Sequence, residues 1–217
     1  MAFFLKGVHV PHRKNTSDMS PVKMGAPKNV IIPTSMHIGA PAVPVVKKGD
    51  KVTVGTLIAE AGNGLSSPIY SGVSGTVNGI TDLLMADGRT VPAITIEADG
   101  EQTVCETITP PTIGDKAELI KAIKDSGIVG LGGAGFPTYA KFTTDKKIET
   151  LIINGAECEP YITSDSITMT KDAEDIVFAI QTLLKYFQID KAIIGIENNK
   201  PNAISAIKTA IGDNAQI

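Results

Sequence analysis

The chain has 217 residues, 42% of them hydrophobic, and its 20 basic and 23 acidic side chains leave a net charge of −3. That is enough apolar material for one large domain or two small ones. No basic block stands out, tryptophan is absent and aromatics are only 5%, which argues against a nucleic-acid surface, whether electrostatic or built on base stacking.

The chain opens MAFFLKGVHVPHRKN. Its apolar run, Ala2 to Leu5, is far shorter than the roughly 7–15 residues of a signal-peptide core, and a polar, basic stretch follows at once. No stretch approaches the roughly 18 apolar residues of a membrane span. A chain without its own membrane span is expected, one that docks at most on the periphery of a membrane complex. The two cysteines, Cys105 and Cys158, belong to no CxxC pair, so these residues supply neither a zinc ribbon nor an iron–sulfur ligand set. A disulfide between them is conceivable, but a reduced pair is expected of a cytosolic chain.

Three zones follow one another. Residues 1–36 are polar and turn-rich, with Pro11, Pro21, Pro27 and Pro33 preventing long helices. Residues 37–108 read as all-β. Val43–Val46 and Val52–Ala59 flank the turn Lys48-Gly49-Asp50, Gly72-Val-Ser-Gly75 precedes a strand over Thr76–Ile80, and Asp87-Gly88 turns the chain into Val91–Glu97. The phrase from Pro44 to Glu60, followed by Ser67 to Val77, resembles the biotinyl/lipoyl barrel-sandwich hybrid. In that family a lysine at the hairpin tip carries the prosthetic group. Here Ala61–Ser67 contains no lysine, so a scaffold or docking module is expected in place of a swinging arm. Residues 1–108 are thus taken as an N-terminal segment plus this domain, and the Pro-Pro stretch at 109–114 as a stiff linker.

Residues 115–217 read as α/β. Ala117, Leu119, Ile120 and Ile123 predict an amphipathic helix ending near Ser126-Gly127, and Leu151-Ile-Ile153 a short buried strand. Helical spacing from Ala173 to Phe187 predicts a core-facing helix. Ala192-Ile-Ile194 is the next strand, and Pro201 suits the first turn of a last helix through Ile211. The alternation implies a Rossmann-like parallel sheet, and the sheet reads as incomplete at its C-terminal end.

Two motifs in this zone carry chemistry. Gly127-Ile-Val-Gly-Leu-Gly-Gly-Ala-Gly-Phe-Pro-Thr-Tyr-Ala-Lys-Phe142 contains G-x-G-x-x-G, but after a helix, which weakens it as a dinucleotide fingerprint. Gly130, Gly132, Gly133 and Gly135 let backbone N–H groups approach a phosphate or a planar ring. Lys141 offers a charge for phosphate and Phe136 a stacking face. Alone, the pattern fits a tight interhelical turn equally well. The second motif, Asn154-Gly-Ala-Glu-Cys-Glu-Pro-Tyr-Ile-Thr-Ser-Asp165, directly follows a strand, where ligands of open α/β sheets collect. If extended, it points Glu157 and Glu159 to one face, where they could accept hydrogen bonds from ribose hydroxyls, a carboxamide or a flavin N–H. A solvated acidic loop is the plain alternative.

Both motifs in this order resemble the flavin- and NADH-binding subunit of respiratory complex I. That family has an arginine at Leu131, an aspartate at Ala156 and a glycine at Tyr161. With Leu131 and Glu-Cys-Glu-Pro-Tyr161 as they stand, the chain more closely resembles the RnfC family, a component of the Rnf ferredoxin–NAD oxidoreductase complex. The resemblance extends to Gly7-Val-His9, His37-Ile-Gly-Ala-Pro41, the barrel-sandwich phrase and Gly195-Ile-Glu-Asn-Asn-Lys-Pro201. It implies that Gly130, Gly132, Gly133 and Gly135 line a nucleotide and flavin pocket, that Phe136 stacks on the dinucleotide and that Lys141 pairs with a phosphate. It implies that Asn154 hydrogen-bonds FMN, and that Glu157 and Glu159 orient flavin and nicotinamide, Glu159 as the catalytic group. Asn198 and Lys200 are weaker candidates, with a helix cap as their plain reading. It further implies electron transfer between NADH, FMN and [4Fe–4S] clusters held outside these residues, the other Rnf subunits and indirectly ferredoxin as partners, and a peripheral place on the cytoplasmic side of a bacterial membrane. On this reading the 217 residues alone are expected to be inactive and to retain FMN poorly. A cobalamin-reductase-type flavoprotein and a non-catalytic scaffold are the alternatives; the barrel-sandwich domain lying first favours Rnf over the former.

Overall fold

The computed structural model describes residues 10–217; the Gly7-Val-His9 match lies outside them. Two compact units divide the chain, one formed by Lys23–Asp145 and the other by Lys146–Ile217 with the described part of Met1–Val22.

In the first unit seven strands form two antiparallel sheets. β1 (Asn29–Pro33), β7 (Thr90–Ala98), β6 (Gly75–Leu84) and β3 (Lys51–Val52) make one, in that order; β2 (Val43–Pro44), β4 (Leu57–Glu60) and β5 (Ile69–Tyr70) make the other. Ala42, Val52, Ile58, Ala59, Ile69, Val73, Val77, Ile94 and Ile96 form a single buried cluster with members from both sheets. This is the barrel-sandwich expected from the sequence. Each fully buried isoleucine or valine contributes roughly 1.5–3 kcal/mol relative to exposure, so the cluster is the unit's main support.

The strand expected over Val52–Ala59 is two strands. The Thr56 hydroxyl accepts the Thr53 N–H at 2.9 Å and the Thr56 N–H donates to the Thr53 carbonyl at 2.9 Å. This turn passes the chain from one sheet to the other. β1 pairs with β7 from Asn29↔Glu97 to Pro33↔Ala93 in a region read only as turn-rich; Pro33 is tolerated because it ends an edge strand. The hairpin at Asp87-Gly88 forms as expected, with the Met85 N–H donating to the Arg89 carbonyl at 2.8 Å.

The same unit contains α1 (Lys116–Asp125) and α2 (Thr138–Phe142). Asp115 caps α1 by accepting the Glu118 N–H at 2.8 Å, and the Glu118 carboxylate accepts the Gly114 N–H at 2.6 Å. The first bond satisfies an orphan donor of the helix start, and the second ties the residue before the cap back to the first turn.

In the second unit β8 (Thr150–Gly155) and β9 (Lys191–Ile196) pair in parallel, from Thr150↔Lys191 to Gly155↔Ile196. Among the described residues the parallel sheet is this pair alone, which is less than the Rossmann-like sheet expected. Between the strands run α3 (Ser164–Lys171) and α4 (Ala173–Phe187), and α5 (Pro201–Ile211) follows. Ala173, Val177, Ile180 and Leu184 bury one stripe of α4. With Leu151, Ile153, Ala192 and Ile194, that helix builds one core; Met169, Ala203 and Ile207 center a second. Because the register is one-to-one, Gly155 and Ile196 finish level, and the segments after them leave from one edge of the sheet. Among the described residues no helix is long and apolar enough to cross a membrane.

Candidate functional site

The glycine loop lies in the barrel-sandwich unit, between α1 and α2. The Gly130 N–H donates to the Phe136 carbonyl at 2.9 Å and the Thr138 N–H to the Ile128 carbonyl at 3.0 Å, pinching the loop at its base. Its tip turns outward: Leu131 is 94% exposed, and a Cβ added to Gly132 or Gly133 would meet nothing within 4 Å. Those two glycines leave main chain open to a ligand. Gly135 differs. It has φ +64°, and a Cβ there would stand 2.6 Å from the Met36 carbonyl oxygen, while its own carbonyl accepts the Ile38 N–H at 3.3 Å. Gly135 therefore joins the loop to the His37–Pro41 motif. The Lys141 ammonium sits 5.8 Å from the centroid of the Phe136 ring, so the two side chains expected to meet a dinucleotide meet each other, at the distance of a weak cation–π contact.

The second motif leaves the carboxyl end of β8. Asn154 is exposed, and its Oδ1 accepts the Ala156 N–H at 3.0 Å, turning the chain off the strand as Asx residues do. The segment is not extended, and Glu157 and Glu159 do not share a face. The Ile162 N–H donates to the Glu159 carbonyl at 3.3 Å, folding the loop so that Glu157 is 1% exposed and Glu159 is exposed.

Glu157 is held on every side. Its Oε1 accepts the Asp165 N–H at 2.7 Å, and its Oε2 lies 3.5 Å from the Lys14 ammonium and 3.9 Å from that of Lys200. Its N–H donates to Glu197 Oε2 at 3.1 Å, and Glu197 forms an ion pair with Lys200. The hydrogen bond from Lys200, and after it the one from the Glu157 main chain, hold the Glu197 carboxyl below the usual carboxylate range. Lys200 is only 5% exposed and precedes Pro201 at the start of α5, so this candidate is a buried ionic partner. Two cations and two anions balance, as buried charges require.

Sequence reasoning missed Lys14. Its ammonium donates to the carbonyls of Glu157, Glu159 and Ile162 at 2.7, 2.8 and 2.6 Å. The Arg13 N–H donates to the Pro160 carbonyl at 2.9 Å, and the hydroxyls of Thr16 and Thr163 share a hydrogen bond at 2.7 Å. No local signal could have announced this, because the partners are more than 140 residues apart. Lys14, Glu157 and Lys200, with His12, Ser17, Thr163, Ser166 and Asn199, line a cavity of about 280 Å³ at this edge of the sheet.

Two family models match the chain. Residues 2–101 match the RnfC barrel sandwich hybrid domain, and residues 123–217 match the Nuo51 FMN-binding domain. Among curated proteins, the chain is 42% identical over 220 residues to the C subunit of the Na(+)-translocating ferredoxin:NAD(+) oxidoreductase complex of Acetobacterium woodii, covering 99% of this chain and 50% of that protein. It is 41% identical to the C subunit of the proton-translocating ferredoxin:NAD(+) oxidoreductase complex of Clostridium ljungdahlii, covering 95% of this chain and 47% of the relative. The C subunit of the ion-translocating oxidoreductase complex of Pectobacterium atrosepticum is 41% identical, with 95% and 30% covered. The chain spans half or less of the length of these relatives.

Proposed function

Because the chain belongs to the RnfC family, sharing its barrel-sandwich hybrid domain and a match to an FMN-binding domain, we propose that it is the FMN- and NADH-binding part of an electron-transfer subunit. It would pass electrons between NAD(H) and iron–sulfur carriers in a membrane-associated ferredoxin–NAD oxidoreductase complex, on the cytoplasmic side of the membrane and beside the other subunits. The observation that carries this reading is the loop after β8. It begins at the carboxyl end of a parallel strand, where α/β sheets receive ligands, and lies inside the segment that matches an FMN-binding domain.

The residues present suit the cofactor. Asn154 and Glu159 are exposed at the strand end, the first with amide donors and the second with carboxylate acceptors for a flavin ring edge or a carboxamide. Gly132 and Gly133 supply open main chain for a phosphate or ring, held out by the bond from Gly130 to Phe136 at the base of the loop, with Phe136 to stack and Lys141 to neutralise charge once it leaves its contact with Phe136. Glu159 is the group we place against the nicotinamide and flavin. Glu157, with all its acceptors engaged, supports the loop from beneath. Bound FMN would supply the exchange of a two-electron hydride for single electrons; the protein's share is to bind, orient and exclude water. The 217 residues alone would not complete electron exit, since two cysteines cannot ligate a cluster.

The test is substitution in the intact protein. Lys141→Ala should weaken nucleotide or flavin binding by about 1.5–3 kcal/mol through loss of a charge-assisted contact. Glu159→Gln keeps one acceptor oxygen and should lower the NADH oxidation rate more than flavin retention. Equal flavin affinity in wild type and Lys141→Ala would count against the glycine-loop assignment. Failure of the intact protein to bind either FMN or NADH would leave the docking-scaffold reading.

A further inference from the structure

We infer that Lys14 is the positioning residue of the loop after β8, and that its ammonium, contributed from outside the matched FMN-binding segment, is needed to hold the shape in which Glu159 is presented. The inference rests on the flavin reading for what the loop does, and is independent of it for what holds the loop.

Three main-chain carbonyls of one short loop converge on a single point, where the Lys14 ammonium stands 2.6–2.8 Å from each. An ammonium has three N–H donors, and this geometry engages all of them. Converging carbonyl dipoles repel one another unless a cation sits between them, so the loop keeps this shape only with a positive charge at its center. Lys200 is no substitute: it approaches the Glu157 carboxylate at 3.9 Å and is committed to Glu197. The main-chain bond from Arg13 to Pro160 and the Thr16–Thr163 pair fix the register of residues 13–16, a strap across the loop, so Lys14 arrives at the same point each time. One of the three carbonyls belongs to Glu159 itself, so the backbone from which that side chain projects is clamped. Lys14 lies within the segment matching the barrel-sandwich model and outside the one matching the FMN-binding model, yet it folds with the α/β unit.

The experiment compares wild type, Lys14→Met and Lys14→Arg in the intact protein. Methionine keeps the apolar stem and removes the charge. Arginine restores the charge, but no single nitrogen of its planar fork carries the three donors that the three carbonyls meet at the ammonium. Hydrogen exchange over residues 156–163 reads the loop without any ligand; titration with FMN and steady-state NADH oxidation read its use. In Lys14→Met, amide protection over 156–163 should fall at least tenfold while α4 and α5 keep theirs. The FMN dissociation constant should rise about tenfold, and Lys14→Arg should recover part of both. Unchanged exchange over 156–163 in Lys14→Met would overturn the inference, as would loss of protection spread evenly over α4 and α5. A loosened loop with unchanged FMN affinity would overturn its functional half. If the loop loosens but wild type takes up no FMN, the clamp stands and the flavin reading fails.

Discussion

Glu157 and Glu159 stand two residues apart in the same motif, and substitution should separate them. Removing one partner of a buried charge cluster leaves the others uncompensated at a cost of about 3–5 kcal/mol, and Glu157 is 1% exposed between two lysines. Glu157→Gln keeps an acceptor for the Asp165 N–H but leaves Lys14 its main-chain carbonyls without a paired carboxylate, and Lys200 with Glu197. It should destabilise the α/β unit by about 3 kcal/mol, read as a lowered denaturant midpoint in helical circular dichroism. Glu159→Gln should stay within about 0.5 kcal/mol of wild type, as exposed substitutions do. Equal stability for the two variants would show that the buried cluster does not hold the unit. The sequence suggested both glutamates as ligands because it read the segment as extended; the fold of the loop at Ile162 divides their roles. Lys14 could not be found that way at all, since its partners adjoin it only after folding.

At the scale of elements, the glycine loop divides in the same manner. Gly135→Ala would place a methyl group against the Met36 carbonyl and force an alanine to φ +64°, a conformation costing about 1–2 kcal/mol before any clash. Its melting temperature should fall by several degrees. Gly132→Ala meets nothing within 4 Å and should melt as wild type does, while lowering nucleotide affinity if a ligand uses that main chain. A Gly132→Ala protein that melts early would mean the tip is packed. How legible an element was follows its chemistry. α4 and α5 announced themselves through apolar residues at helical spacing, and β8 and β9 through short aliphatic runs. α3 went unseen because Ser164–Lys171 is polar around most of its circumference and buries only Met169. The split between β3 and β4 was passed over because Val52–Ala59 is β-prone on both sides of Gly55; that glycine, at φ +90°, was the signal for the turn that the Thr53 and Thr56 side chains close.

For the whole molecule, cysteine placement gives the sharpest expectation. Cys105 and Cys158 are both free and fall in different units, whereas a cluster takes about four thiolates. The purified 217-residue chain should carry no stoichiometric iron or acid-labile sulfide; cluster-level amounts would contradict this. The barrel-sandwich and the α/β character were both readable from the sequence; a family model agrees on the first, and of the expected Rossmann-like sheet the described residues show the parallel β8–β9 pair with its helices. What was not readable is that the chain's first described residues fold with its last ones.

That arrangement makes the barrel-sandwich unit an insertion between Val22 and Lys146, with a consequence for biosynthesis. As the chain leaves the ribosome at roughly 5–20 residues per second, the inserted unit has all its strands in hand first and can fold on its own. Lys14 has by then been exposed for some time without partners, because Glu157 through Ile162 are still to be translated. The strap must stay unengaged through that interval, then close a loop spanning more than 140 residues. Forming the folded inserted unit first shortens the effective length of that closure, so the order of synthesis favours the late docking that completes the site loop.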